Sequence, residues 1–172
     1  LFVNNNIPTL KKIDSLAISI DGKKEGNDLN RGRGTYDKVI EAIECLNKNK
    51  IKFHAHTVLT GNNKNAVEEM LALAAKYNFS TQLSILRLED SPDKNIRLED
   101  SQMRAIIKKI INYKRAGLPV FFSYGAYKNM LHWPFSYDKQ MLNGQVPKGY
   151  RPQPCFIKRF SCHIEANGLV YP

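Results

Sequence analysis

The sequence is poor in cysteine, in acidic side chains and in long apolar runs, and each shortage excludes something. Cys45, Cys155 and Cys162 are the only cysteines. An odd count with no export-type hydrophobic segment argues against a disulfide framework. No apolar run approaches the roughly 20 residues of a membrane-spanning helix, so no membrane partner is expected and a cytoplasmic location is. Acidic residues number 16 against 26 Lys+Arg, a net charge of +10. Such a balance favours nucleic acid or acidic substrates through its field. However, Lys38, Lys48, Lys108 and Lys109 fall at polar helical positions, and no basic stripe interleaves with aromatics, so nucleic acid is not the expected partner. With 42% hydrophobic and 10% aromatic residues, the chain can build a packed core, which excludes disorder. Its 172 residues suit one domain, or one with a small appendage.

What is present is a strand–helix alternation. Residues 1–14 read as a strand remnant, an Asn-rich turn with Pro8 and a basic connection. Leu16 to Ile20 is the first full strand, followed by a polar loop holding Gly32 and Gly34. Thr35 then opens a helix whose stripe is Tyr36, Val39, Ile40, Ile43 and Leu46. Ile51 to Leu59 alternates as a strand and ends in the turn Gly61-Asn62-Asn63. Asn65 and Glu68 resemble a capping box for a helix carrying Val67, Met70, Leu71 and Ala74. Thr81 to Leu86 is a third strand, and a charged loop runs from Arg87 to Asp100. Ser101 caps a helix with Met103, Ile106, Ile107, Ile110 and Ile111 on one side, stopped by Gly117 and Pro119. Leu118 to Tyr124 is a fourth strand, and residues 125–154 read as a linker packed by its aromatics. Recurrence of a strand–helix unit at about 31–36 residues marks a parallel barrel or doubly wound sheet, with every strand's carboxyl end on one rim.

That rim is where such sheets bind ligands. Ser19 and Asp21, two apart at the first strand's carboxyl end, share one face. Ser-x-Asp-Gly is equally a plain turn signal, with Asp holding the turn and Gly taking positive φ. The Arg31–Gly34 segment could cradle a phosphate, though without the lysine and serine of a P-loop, and a solvated loop is the simpler reading. His54 and His56 permit a metal pair, but no third ligand lies nearby in sequence, so they read as core or lumen histidines. Cys45 falls on the apolar side of its helix as a small core residue.

The residues ISIDG at 18–22, ND at 27–28, RGRGTYDKVIEAIECL at 31–46 and TGNN at 60–63 resemble the radical S-adenosylmethionine superfamily. PCFIKRFSCHIEANGLVYP at 154–172 resembles the start of the SPASM or twitch extension, in which cysteines flanking an Ile-x-x-Asn-Gly-x-Val-x-Pro hairpin hold an auxiliary iron–sulfur cluster. The resemblance implies an α/β fold, an incomplete parallel (β/α) barrel belonging to a (β/α)6 core, over residues 1–124. A linker at 125–154 and the extension at 155–172 would follow. It implies a 4Fe–4S cluster that cleaves S-adenosylmethionine reductively to a radical able to remove a substrate hydrogen. A peptide or protein substrate is implied, with an electron donor such as flavodoxin or ferredoxin. Carried over by position, Ser19 and Asp21 contact the cofactor, His54 and Asn62 border it, and Cys155 and Cys162 are auxiliary-cluster ligands. The Cys-x3-Cys-x2-Cys triad of the radical-forming cluster has no counterpart in this sequence. The chain therefore reads as a piece of a longer enzyme, silent by itself. Two rival expectations are a non-catalytic basic α/β scaffold binding RNA or a protein, and a barrel enzyme holding phosphate at Gly32 and Gly34.

Overall fold

The computed structural model describes residues 2–86, 96–139, 146–151, 162–164 and 167–171. The chain divides into two compact units, residues 1–140 and 141–172. In the first, α1 (Phe2–Asn5) and α2 (Ile7–Leu10) precede β1 (Ala17–Ser19), α3 (Lys24–Arg31) and α4 (Thr35–Lys48). There follow β2 (His54–Leu59), a 3-10 turn (Gly61–Asn63), α5 (Ala66–Tyr77), β3 (Ser80–Ile85), α6 (Asp100–Arg115) and α7 (Tyr124–Leu131). The strands form one parallel sheet in the order β1-β2-β3. The second unit contains the antiparallel hairpin of β4 (His163–Ile164) and β5 (Val170–Tyr171). Its turn is held by Leu169 N–H donating to Asn167 Oδ1 at 3.0 Å. Among the described residues no helix is long and apolar enough to cross a membrane.

Strand parity divides the sheet into two chemically different faces. Ile18, Ala55 and Thr81 stand in register, as do Thr57 with Leu83 and Leu59 with Ile85. This face is covered by helices. Ile20, Ile43, Ala55, Met70 and Phe79 form one cluster, and Leu59, Val67, Leu83, Met103, Ile107, Ile110 and Val120 another. The opposite face carries Ser19, His56 and Gln82 in one row and Ala17, His54 and Ser80 in the next, all half-buried or exposed. His56 Nε2 and Ser84 Oγ lie 2.9 Å apart on it.

Three expectations are corrected. Residues 2–10 are two short helices rather than a strand remnant. The loop after Gly22 contains the helix α3. The fourth strand shrinks to a single bridge between Thr81 and Val120, because Ser123 Oγ accepts the Ala126 amide and caps α7, which occupies part of the segment read as a linker. The sheet is therefore open, and closure into a barrel is not seen among the described residues. Two caps also differ. Thr60 and Asn63 make the reciprocal box expected of Asn65 and Glu68, and Glu99, boxed with Gln102, takes the cap position expected of Ser101.

Candidate functional site

The carboxyl ends of β1 and β2 open into a cleft of about 460 Å³ lined by Asp21, Asn30, Arg31, Val58, Thr60 and Asn62, among others. Asp21 ends the first strand segment and is 2% exposed. A buried carboxylate must find partners, and this one has four. Oδ1 accepts from Arg31 Nη2 at 3.1 Å and from the Val58 amide at 2.9 Å. Oδ2 accepts from Asn30 Nδ2 at 3.4 Å and lies 2.8 Å from Arg31 Nε. That last contact is an ion pair whose N–H is not aimed at the oxygen, since Nε has no hydrogen-bond partner. Three hydrogen bonds and one ion pair thus hold the carboxylate. Gly22, at φ +102, makes the turn out of the strand, and a Cβ there would sit 2.5 Å from Glu69 Oε2, which holds the Lys23 amide.

Asn27, Asp28 and Asn63 build the frame beneath the cleft. Asn27 is fully buried; its Oδ1 accepts the Asp21 amide and its Nδ2 reaches Thr35 Oγ1. Asn63 Oδ1 accepts the Thr60 amide at 2.7 Å, while its Nδ2 donates to the carbonyls of Asp21 and Val58. The rim is thus pinned to both strands. Asp28 accepts the amides of Tyr36 (2.9 Å) and Gly34 (2.8 Å), so the carboxylate of one helix caps the next. The same bond removes the Gly34 amide from any phosphate cradle.

Those two amide bonds pull the Asp28 carboxyl from its ordinary value near 3.8 down to about 2. A lowered folded-state value means the contribution is complete above about pH 4 and lost as pH falls toward about 2. Acid titration followed by circular dichroism should show helix loss in that window. Asp28→Asn should lower stability at neutral pH and flatten the acid limb; an unchanged limb would refute the assignment.

Of the residues singled out in the sequence, Asp21 and Asn62 line the cleft. Asn62 Nδ2 donates to Asn30 Oδ1 at 3.1 Å, which also accepts from Thr60 Oγ1. Ser19 is exposed one pleat below Asp21, beside His56. His54 is not brought to the cleft. It begins β2, roughly 13 Å of strand back from Val58, and stacks on Phe121 with centroids 4.2 Å apart. Burial, then the neighbouring His56 charge, push its pKa down. Cys162 is exposed, and Cys155 lies outside the described residues. Among the described residues no three His, Cys, Asp or Glu side chains gather as a metal site. Asn30 was missed, and Arg31 was read as a phosphate-cradle residue and not as the partner of Asp21, because the helix carrying them was read as loop.

The fold and cleft define the class: a parallel α/β sheet with its polar site at the strands' carboxyl ends. Searches find no matching protein-family description and no matching curated protein. Solved structures do match. One is native anSMEcpe, an anaerobic sulfatase maturase of the radical SAM superfamily, with bound AdoMet and the Cp18Cys peptide. It is 21% identical at a TM-score of 0.54, over 64% of this chain and 33% of that one. Another, hexahistidine-tagged anSMEcpe with bound AdoMet, is 22% identical at a TM-score of 0.55, over 67% and 35%. The likeness is one of fold, and the chain spans about a third of the length of these structures.

Proposed function

We propose that this chain is the cofactor-binding middle of a radical S-adenosylmethionine enzyme. The observation that carries the proposal is the cleft at the carboxyl ends of β1 and β2, on a fold shared with AdoMet-bound anSMEcpe. When bound, the cofactor supplies the radical that takes hydrogen from the substrate. The chain's own part is to bind and orient. Asn30, Thr60 and Asn62 offer donors and acceptors for hydroxyl and amine groups. Asp21 Oδ2, whose bond from Asn30 is long at 3.4 Å, would accept from a ribose hydroxyl. Arg31, the counter-ion of Asp21, holds that carboxylate in place at the cleft. The Ser19 hydroxyl stands on the same face, below.

The residues present do not fit an iron–sulfur cluster. The Cys-x3-Cys-x2-Cys triad is absent from the sequence, and Cys155 with Cys162 is half of the usual thiolate set. Within the proposal, cluster ligands, a peptide-class substrate site and the docking face for a flavodoxin or ferredoxin belong to the longer protein.

The test is made on the full-length gene product after anaerobic reconstitution. Iron and sulfide should be present, and the reduced electron paramagnetic resonance signal should shift on adding S-adenosylmethionine. Asn62→Ala and Ser19→Ala, both at exposed positions, should each weaken cofactor affinity about 2–10-fold, the worth of one hydrogen bond. Absence of iron, or an affinity indifferent to both substitutions, would remove the reading.

A further inference from the structure

A second cleft, of about 340 Å³, lies between α6 and α7. Two helical ladders face each other across it: Lys108, Asn112 and Arg115 at i, i+4 and i+7 on α6, and Tyr124, Lys128 and His132 at i, i+4 and i+8 on α7. No Asp or Glu lines it. Other lysines of α6 are committed elsewhere, Lys109 to Glu68 at 3.0 Å and Lys114 to the Val120 carbonyl at 2.7 Å. Among the described residues, Lys108, Arg115 and Lys128 form no ion pair. Tyr124 organises the group. The Arg115 guanidinium lies 5.0 Å from its ring centroid and donates to its hydroxyl, while Lys128 Nζ lies 5.2 Å from the same centroid. Two cations are therefore held within about 10 Å of each other with no anion between them. With Lys108 the cleft is lined by three such cations and no acidic residue, so a ligand with a single negative charge would leave most of them unbalanced.

We propose that this cleft binds a compact phosphoryl anion, a phosphate monoester or diphosphate group of a small molecule. An arginine held beside a tyrosine, with one Nη spent on the hydroxyl, keeps other N–H donors for phosphate oxygens, and flanking ammonium groups add charge. The site is independent of the cofactor cleft.

The experiment is a ³¹P nuclear magnetic resonance titration of inorganic pyrophosphate with the full-length protein, at low ionic strength with chelator present. Saturable binding at one site per chain is expected. It should weaken at least tenfold in Arg115→Ala/Lys128→Ala and change less than twofold in Lys11→Ala/Lys12→Ala, which removes two exposed charges elsewhere. Should the double variant lose its circular dichroism, Lys108→Ala, whose side chain has no hydrogen-bond partner among the described residues, should still weaken binding threefold or more. Absence of saturable binding, equal loss in both double variants, or oligonucleotide binding through these residues without pyrophosphate binding would each overturn the proposal.

Discussion

Replacing Asp21 with alanine should destabilise the protein by about 2–4 kcal/mol, since removing one partner of a buried ion pair strands the other. The side chain is 3% exposed and its partner Arg31 28% exposed, which places the cost below that of a fully buried pair. The loss has three parts: the Arg31 charge left without its counter-ion, the Val58 amide left without an acceptor, and a small polar void at the end of β1. Thermal midpoints should fall by roughly 5–15 °C. Arg31→Ala should cost a comparable amount by leaving a buried carboxylate uncompensated. The double variant should cost less than the sum of the two, because the stranded charge is then absent. Strict additivity would show that the pair does not interact. The consequence for function is practical. Loss of cofactor binding in Asp21→Ala would report folding as much as contact, so Asp21→Asn is the informative variant. It preserves an oxygen for the Val58 amide, removes the charge, and replaces the acceptor facing Asn30 by a donor.

Hydrophobic periodicity in the sequence reports which faces meet the core, and where burial is apolar it is faithful. The stripes of α4, α5 and α6, with Ile43, Met70 and Ile107 at their centres, lie where their spacing puts them, and so do β2 and β3. Where the inward residue is polar the signal vanishes. The buried residue of α3 is Asn27, held by three hydrogen bonds, and its sequence KEGNDLNR contains a glycine and two asparagines of poor helix propensity. Missing that helix meant missing Asn30, and the place of Arg31 beside Asp21, both of which its last turn delivers to the cleft. Parity in a strand similarly gives the face of a side chain but not its height. His54 and His56 share a face with Ser19, yet only residues from Val58 onward reach the rim. Asp21 and Asn62 were legible because both follow a strand's carboxyl end within three residues. The engagement of Asp21 by Arg31 was not, since it depends on the helix.

Truncating Tyr127 should be the most damaging single change, about 3–5 kcal/mol for Tyr127→Ala, the scale for deleting a large buried ring. The reason lies in the fourth strand that does not form. Among the described residues, the sheet continues beyond β3 only through Thr81, whose amide donates to Pro119 and whose carbonyl accepts from Phe121. Two residues on, the edge is closed by a side chain instead: the Tyr127 hydroxyl accepts from the Leu83 amide at 3.3 Å and reaches its carbonyl at 3.4 Å. Its ring is fully buried, edge-on to Phe122 at 5.9 Å. One tyrosine of α7 thus replaces the ladder bonds of a missing strand, which buried backbone groups require. Tyr127→Phe separates the two roles. It keeps the ring and leaves the Leu83 amide unpaired, for a cost of about 1–2 kcal/mol. Burial also raises the Tyr127 hydroxyl from an ordinary 10.0 to about 12. A raised folded-state value means that stability is complete below about pH 10 and is lost as pH climbs toward about 12. Alkaline unfolding should therefore move to higher pH in Tyr127→Phe, even though that variant is weaker at neutrality. An alkaline midpoint that tracked neutral stability alone would show that the hydroxyl does not hold this edge.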